Sequence, residues 1–242
     1  MPDDVAQARL KPDPVTSLDD PRALQILTAE HSSLLSTRSL AYNESFTRGG
    51  MFLAFLSVSF IALALVAQAI PVNRDFLIIA AIVLVFDLVV GLTTYGRILG
   101  ASHEDYLAVH GMARIRHGYG EIAPVVLPYF TTSIHDDLTG VMVSYGSPPT
   151  KGGGAVIYQL TTSSGMTNLI VSMVGGVLAL VIALILGASA QLAFGIAAVT
   201  TLGVFLALAA MTVWFYFRVQ ARLQVLFPTP ADRTEQAPDA RS

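Results

Sequence analysis

Apolar residues fall into long blocks along this chain, and the short polar breaks between the blocks define its elements. No charge lies between Arg48 and Arg74. Within that interval, Met51 to Val72 (MFLAFLSVSFIALALVAQAIPV) supplies 22 apolar or weakly polar residues. At about 1.5 Å per helical residue this is enough for the roughly 30 Å of a bilayer core. Pro71, Asn73, Arg74 and Asp75 form a brief polar turn, and 76–96 reads as a second span interrupted by Asp87 alone. So short a turn predicts a tight antiparallel hairpin. From Gly152 to Phe217 there is no charged residue in 66 positions. A single helix of that length would reach about 100 Å, three bilayer cores, so the stretch must fold back. Its one weakly polar break is Gly187-Ala-Ser-Ala-Gln191, which gives a third span at 166–186 and a fourth at 192–217. The period-2 alternation of a β-barrel is missing.

Outside the spans the pattern is amphipathic. Residues 1–19 are rich in proline and aspartate and read as a disordered tail. Asp20-Pro21 is a helix start, with Asp as N-cap and Pro at the first helical position. Leu24, Leu27, His31, Leu34 (or Leu35) and Arg38 then recur at three- or four-residue spacing, so 20–48 is expected to be an amphipathic helix that Gly49-Gly50 can hinge against the first span. Residues 97–165 form a second non-spanning segment. Its first part, 97–123, carries Ile98, Tyr106, Val109, Met112 and Ala113 on one stripe and can pair with the 20–48 helix. Tyr129–Tyr145 reads as one or two short helices, and Ser147–Gly154 as a loop. Residues 218–242 are a polar tail.

Composition sharpens the class. Hydrophobic residues make up 53% and charged residues 13%, against about 25% charged in ordinary soluble domains, and mean hydropathy is +0.61. The expectation is an all-α fold: a four-span helical transmembrane bundle of two antiparallel hairpins, with membrane-proximal helices and the lipid bilayer as its first partner. Residues 1–48 lack the apolar core of a signal peptide, so the first span is expected to serve as its own insertion signal. A net charge of −3 gives no basic footprint for nucleic acid. Cysteine is absent, which excludes thiol catalysis, iron–sulfur clusters and Cys-based zinc sites. One orientation puts 13 of the 14 Lys and Arg residues on one side, with only Arg74 opposite. The positive-inside rule then makes both ends of this chain cytoplasmic, in a bacterial inner membrane. Trp214-Phe-Tyr-Phe217 before Arg218, and Tyr95 before Arg97, mark the same interface.

Candidate chemistry is sparse. Asp87 lies near the middle of a span, where a carboxylate costs about 2.5–3.5 kcal/mol to insert. Folding the first hairpin about Asn73 brings Ser59 level with it. Folding the second about Ser189 brings Gly175-Gly176 level with Thr200–Gly203. Asp87, Ser59, Thr200 and Thr201 therefore share one depth, as an ion or proton site or as polar glue for the bundle, and Ser172-x-x-x-Gly176 permits close helix approach. Gln68 and Asn168, near span ends, read as interfacial. His103, His110 and His117 recur every seven residues as a possible pH-sensitive face. Neighbours on that stripe stand about 10.5 Å apart along a helix, too far to share a metal. His135-Asp136-Asp137 suggests metal ligands or an acid–base group only weakly, and reads first as an Asx-type cap at a helix start. Lys151-Gly-Gly-Gly154 lacks the order of a P-loop, and no Gly-x-Ser-x-Gly element occurs. No catalytic residue, metal or cofactor is expected. Two functions fit: a homo-oligomeric pore or small transport-like protein that uses Asp87, or a scaffold or sensor that binds a cytoplasmic protein partner through 20–48 and 97–165.

The stretches LTAEHSSLLSTRSLAYNESFTRGGMF (27–52) and HGMARIRHGYGEIAPVVLPYFTTSIHDDLTG (110–140) resemble those of bacterial multi-pass membrane proteins of unknown function, a likeness that implies no activity. In layout alone (helix, tight two-span hairpin, helix) the chain also resembles the SLATT-type two-span proteins, which are proposed membrane-perturbing effectors of bacterial defence. The second hairpin departs from that pattern, so no residue roles follow from it.

Overall fold

The computed structural model describes residues 15–146 and 162–230. The Ser147–Gly154 loop, most of the N-terminal tail and the end of the C-terminal tail lie outside the described residues. The described residues hold five α-helices and one 3-10 turn and contain no strand: α1 (Pro21–Ala69), α2 (Arg74–Ile122), the 3-10 turn Pro124–Tyr129, α3 (Leu138–Ser144), α4 (Ser163–Ile185) and α5 (Ala190–Gln220). Four of these, α1, α2, α4 and α5, are long and apolar enough to cross a membrane.

Side chains set the helix ends. Asp20 Oδ1 accepts from the Arg22 N–H at 2.9 Å. Asn73 Oδ1 accepts from the N–H groups of Asp75 and Phe76, both at 3.1 Å, and so starts α2. Thr162 and Ser189 do the same for α4 and α5, accepting from Gly165 N–H at 3.1 Å and Leu192 N–H at 3.4 Å. Each satisfies an N–H that the first helical turn leaves without an internal partner. The α4 helix stops because Gly187 takes φ +83°, a left-handed conformation that a Cβ would oppose.

The expected hinge at Gly49-Gly50 is not a break. Both glycines lie inside α1, which runs for 49 residues, and α2 has the same length. Each helix is therefore more than twice the roughly 20 residues a span needs: span and amphipathic flank form one element. A Cβ at either glycine would meet no atom within 4 Å, so no close approach demands glycine there.

The chain divides into two compact units. The larger holds residues 38–107 and 162–224. In its core, Phe52 and Leu56 of α1, Ala80 and Leu84 of α2, and Val171, Val174, Leu178 and Val181 of α4 pack together, with Leu208 of α5 against them. Half of the most apolar window of α4 is buried, against 6% for α5. The outward faces of α1, α2 and α5 carry exposed Phe55, Ile61, Ile82, Phe86, Phe194 and Leu202. Surface of that extent suits lipid rather than water. Small residues permit the closest contacts. A Cβ on Gly176 of α4 would overlap the Thr201 hydroxyl of α5 and lie 2.9 Å from the Ala197 carbonyl oxygen.

The smaller unit holds residues 15–37, 108–146 and 225–230. Here α1 packs on α2 through leucines set over glycines. A Cβ on Gly111 would lie 2.9 Å from Leu34 Cδ1, and one on Gly118 would lie 3.3 Å from Leu27 Cδ1. His31 stacks on Tyr119 beside them, with ring centroids 5.9 Å apart.

The Gly176 contact yields a test. Gly176→Val should lower the stability of the detergent-extracted protein by about 1–3 kcal/mol, the usual range for overpacking. Adding Thr201→Ala should restore part of the loss, because only one of the two colliding groups is removed. Reversible denaturation by SDS in mixed micelles, followed by helix content, measures both.

Candidate functional site

The larger unit contains one acid in its apolar interior. Asp87 is fully buried on α2. Ser59 of α1, itself 8% exposed, donates its hydroxyl to Asp87 Oδ1 at 2.8 Å. The other oxygen, Oδ2, is buried with no hydrogen-bond partner among the described residues. Of the four residues expected at one depth, the structure brings Asp87 and Ser59 into contact. Thr201 instead covers Gly176 of α4, and Thr200 is half-buried on α5 without a bond to the acid. A carboxyl group with one donor and one unsatisfied oxygen in hydrocarbon can bind a proton or a small cation.

A second polar group lies further along the same unit. The Tyr95 hydroxyl of α2 donates to the Leu208 carbonyl of α5 at 2.7 Å and is hydrogen-bonded to the Thr212 hydroxyl. Asn168 of α4 donates from Nδ2 to the Phe205 carbonyl at 3.2 Å, and Ser172 donates to the Asn168 carbonyl at 2.7 Å. Asn168 is 4% exposed and joins α4 to α5 from inside. Sequence reasoning missed this cluster because Tyr95 sits beside Arg97 and reads as belt. The available signal was the shared helical face of Asp87, Gly91 and Tyr95, at i, i+4 and i+8.

The three histidines fall in both units. His103 belongs to the larger unit, where it meets the edge of Phe215 at 5.2 Å between ring centroids. His110 and His117 belong to the smaller unit. There His117 stacks on Phe227 with centroids 3.8 Å apart.

His110 faces a structured anion. Asp136 is 1% exposed and accepts from Arg114 Nε at 2.8 Å, from the Leu226 N–H at 3.0 Å and from the Phe227 N–H at 2.7 Å. Asp136 N–H donates in return to the Phe227 carbonyl at 3.1 Å. Asp137 is the N-cap of α3, accepting from Gly140 N–H at 3.0 Å, and it also holds the Thr229 hydroxyl at 2.8 Å. The consecutive acids thus fasten the 226–229 segment, which is a structural task. The Asx-cap alternative describes Asp137. The role of Asp136 has no local signature, since Arg114 lies 22 residues away and the backbone donors of Leu226 and Phe227 lie 90 and 91 away. Among the described residues no group of three His, Asp or Glu side chains is placed to hold a metal ion.

The electrostatics of this corner follow from its contacts. Burial by itself would raise the Asp136 carboxyl, but the Leu226 and Phe227 N–H groups and Arg114 hold it below the ordinary carboxylate value. Burial, then Arg114, lowers the His110 imidazole, with Asp136 opposing. Arg114 Nη2 lies 3.1 Å from His110 Nε2. Since Arg can only donate, Nε2 accepts and the ring is neutral. A buried neutral imidazole makes folding weaker in acid, because the unfolded ring takes a proton below about pH 6.5 while the folded one resists. His31, also lowered by burial first and Arg116 second, adds with the same sign. The depressed Asp136 contributes stability above about pH 3.9, lost only as pH falls further. Amide exchange at Leu226 and Phe227, corrected for intrinsic rates, should therefore accelerate between pH 7 and pH 5.5. His110→Gln should make that dependence shallower, with the His31 part remaining.

Comparison with family models, with curated proteins and with solved structures finds no match to the chain.

Proposed function

We propose that the chain is a four-span protein of the bacterial inner membrane, built as two antiparallel hairpins with both of its ends in the cytoplasm. Support comes from four apolar helices and from the crowding of 13 of 14 basic residues to one side of that arrangement. The natural absence of cysteine makes the topology directly testable. In right-side-out cells, Asn73→Cys should react with a membrane-impermeant maleimide, and Gln220→Cys should react only after the membrane is opened. The opposite labelling would invert the orientation.

Its activity, in this reading, is that of a homo-oligomeric pore or small transport-like protein, with Asp87 as the group that binds a proton or small cation in transit. The observation that carries this is the buried Asp87 carboxyl with one oxygen unsatisfied. A purely structural acid would be expected to spend both oxygens on donors. Four spans leave little room for a substrate cavity in one chain, so copies would assemble around the pathway. Purified protein in liposomes should pass protons under an imposed potential, and Asp87→Asn should abolish the flux. The extracted protein should have the mass of an oligomer; a strict monomer counts against the pore.

A second reading, a scaffold or sensor acting through its cytoplasmic helices, has one observation in its favour. Val125 and Tyr129, on the 3-10 turn of the smaller unit, are 76% and 81% exposed, an apolar pair suited to a protein partner. That reading expects no flux and no effect of Asp87→Asn on partner binding.

A further inference from the structure

Between Asp87 and the Tyr95 cluster the interior is apolar and closed, at Gly91. Asp87, Gly91 and Tyr95 occupy one face of α2 at successive turns, so the two polar groups are about 12 Å apart along the axis. Over Gly91, Phe52 of α1 and Val171 of α4 come so close that a Cβ there would lie 2.9 Å from Phe52 Cζ and 2.9 Å from Val171 Cγ2. Phe52 is 2% exposed and Val171 fully buried. Beyond this plug the interior becomes polar again. Asn168, Tyr95 and Thr212 are all buried, and their polar atoms belong to α4, α2 and α5.

We propose that Phe52 and Val171, closed on Gly91, are a hydrophobic gate controlling whether water from the Tyr95 end reaches Asp87. This rests on the reading of Asp87 as a proton site. An apolar constriction excludes water by dewetting until its side chains part. A polar cluster just beyond the constriction gives water hydrogen-bond partners up to that point and none within it. When the gate opens, the proton on Asp87 Oδ2 passes to an entering water, leaving a carboxylate and a hydronium ion. Ser59 continues to donate to Oδ1 of that carboxylate. Reprotonation reverses the same step. Gly91 is the residue that lets the gate close flat against α2.

Water access to Asp87 can be read without any transport. A water-soluble carbodiimide adds to a carboxylic acid: the carboxyl oxygen bonds to the central carbon, and the acid proton moves to a nitrogen. The adduct then rearranges to a stable acylurea, seen as a mass increase on the peptide carrying Asp87. In full-length protein in liposomes, wild type should label slowly. Phe52→Ala and the near-isosteric Val171→Thr should each label at least tenfold faster, and Asp87→Asn should not label at that peptide. Equal rates in wild type and Val171→Thr would overturn the gate, and Val171→Thr keeps the test valid if Phe52→Ala fails to fold. Proton flux is measured on the same vesicles, where both gate variants should exceed wild type. Flux that survives Asp87→Asn overturns the proton-site reading instead, whatever the labelling shows, so the two failures are distinguishable.

Discussion

A polar group inside hydrocarbon has no water as an alternative partner, so it must be satisfied by the protein or cost several kcal/mol. The four apolar helices follow this constraint closely. Ser57 and Thr93 turn their hydroxyls back onto carbonyls one turn earlier, Leu53 and Val89, at 2.8 Å and 3.0 Å. Ser172 does so within α4. Tyr95, Thr212 and Asn168 use carbonyls of α5. Against that background Asp87 stands out, because one of its two oxygens has no partner.

Asp87 and Asp136, the two most deeply buried acids among the described residues, show what environment does to one functional group. Asp136 is surrounded by N–H donors and an arginine, the set that stabilises a carboxylate. It is therefore a fixed anion, and its work is to fasten the chain that follows α5. Asp87 meets a single hydroxyl among side chains that solvate nothing. The first is a finished interaction. The second has unused capacity, which is why a proton site is sought there and not at the acid with more contacts.

How much of this was legible from sequence depended on how local each cause is. The break between α4 and α5 was, because Gly187 can take φ +83° without cost and Ser189 is a good N-cap. The shared level of Ser59 and Asp87 was too, since both lie 14 residues from Asn73 and equal counts give equal depth, although their hydrogen bond was not. The continuity of α1 through Gly49-Gly50 was not. Two glycines cost about 2 kcal/mol in a helix, but an unbroken backbone hydrogen-bond ladder and the paired surfaces of α1 and α2 on either side outweigh a local penalty. The contacts of Asp136 and Asn168 were not legible, for one reason. Their partners, Leu226 and Phe205, are distant in sequence, and nothing beside either residue signals them.

The helix with the least room for change is α4. It is the most buried of the four apolar helices, and each of its turns has a different task. Asn168 and Ser172 supply the polar cluster, Val171 closes on Gly91, and Gly176 receives Thr201. Val174, Leu178 and Val181 complete the core. Moving α4 along its axis by one residue, about 1.5 Å, would separate Gly176 from Thr201 and Val171 from Gly91 together. The close approach at Gly176 therefore fixes the height of the plug above Asp87. A contact made by small residues sets the position of the large ones, and through them the access of water to the acid.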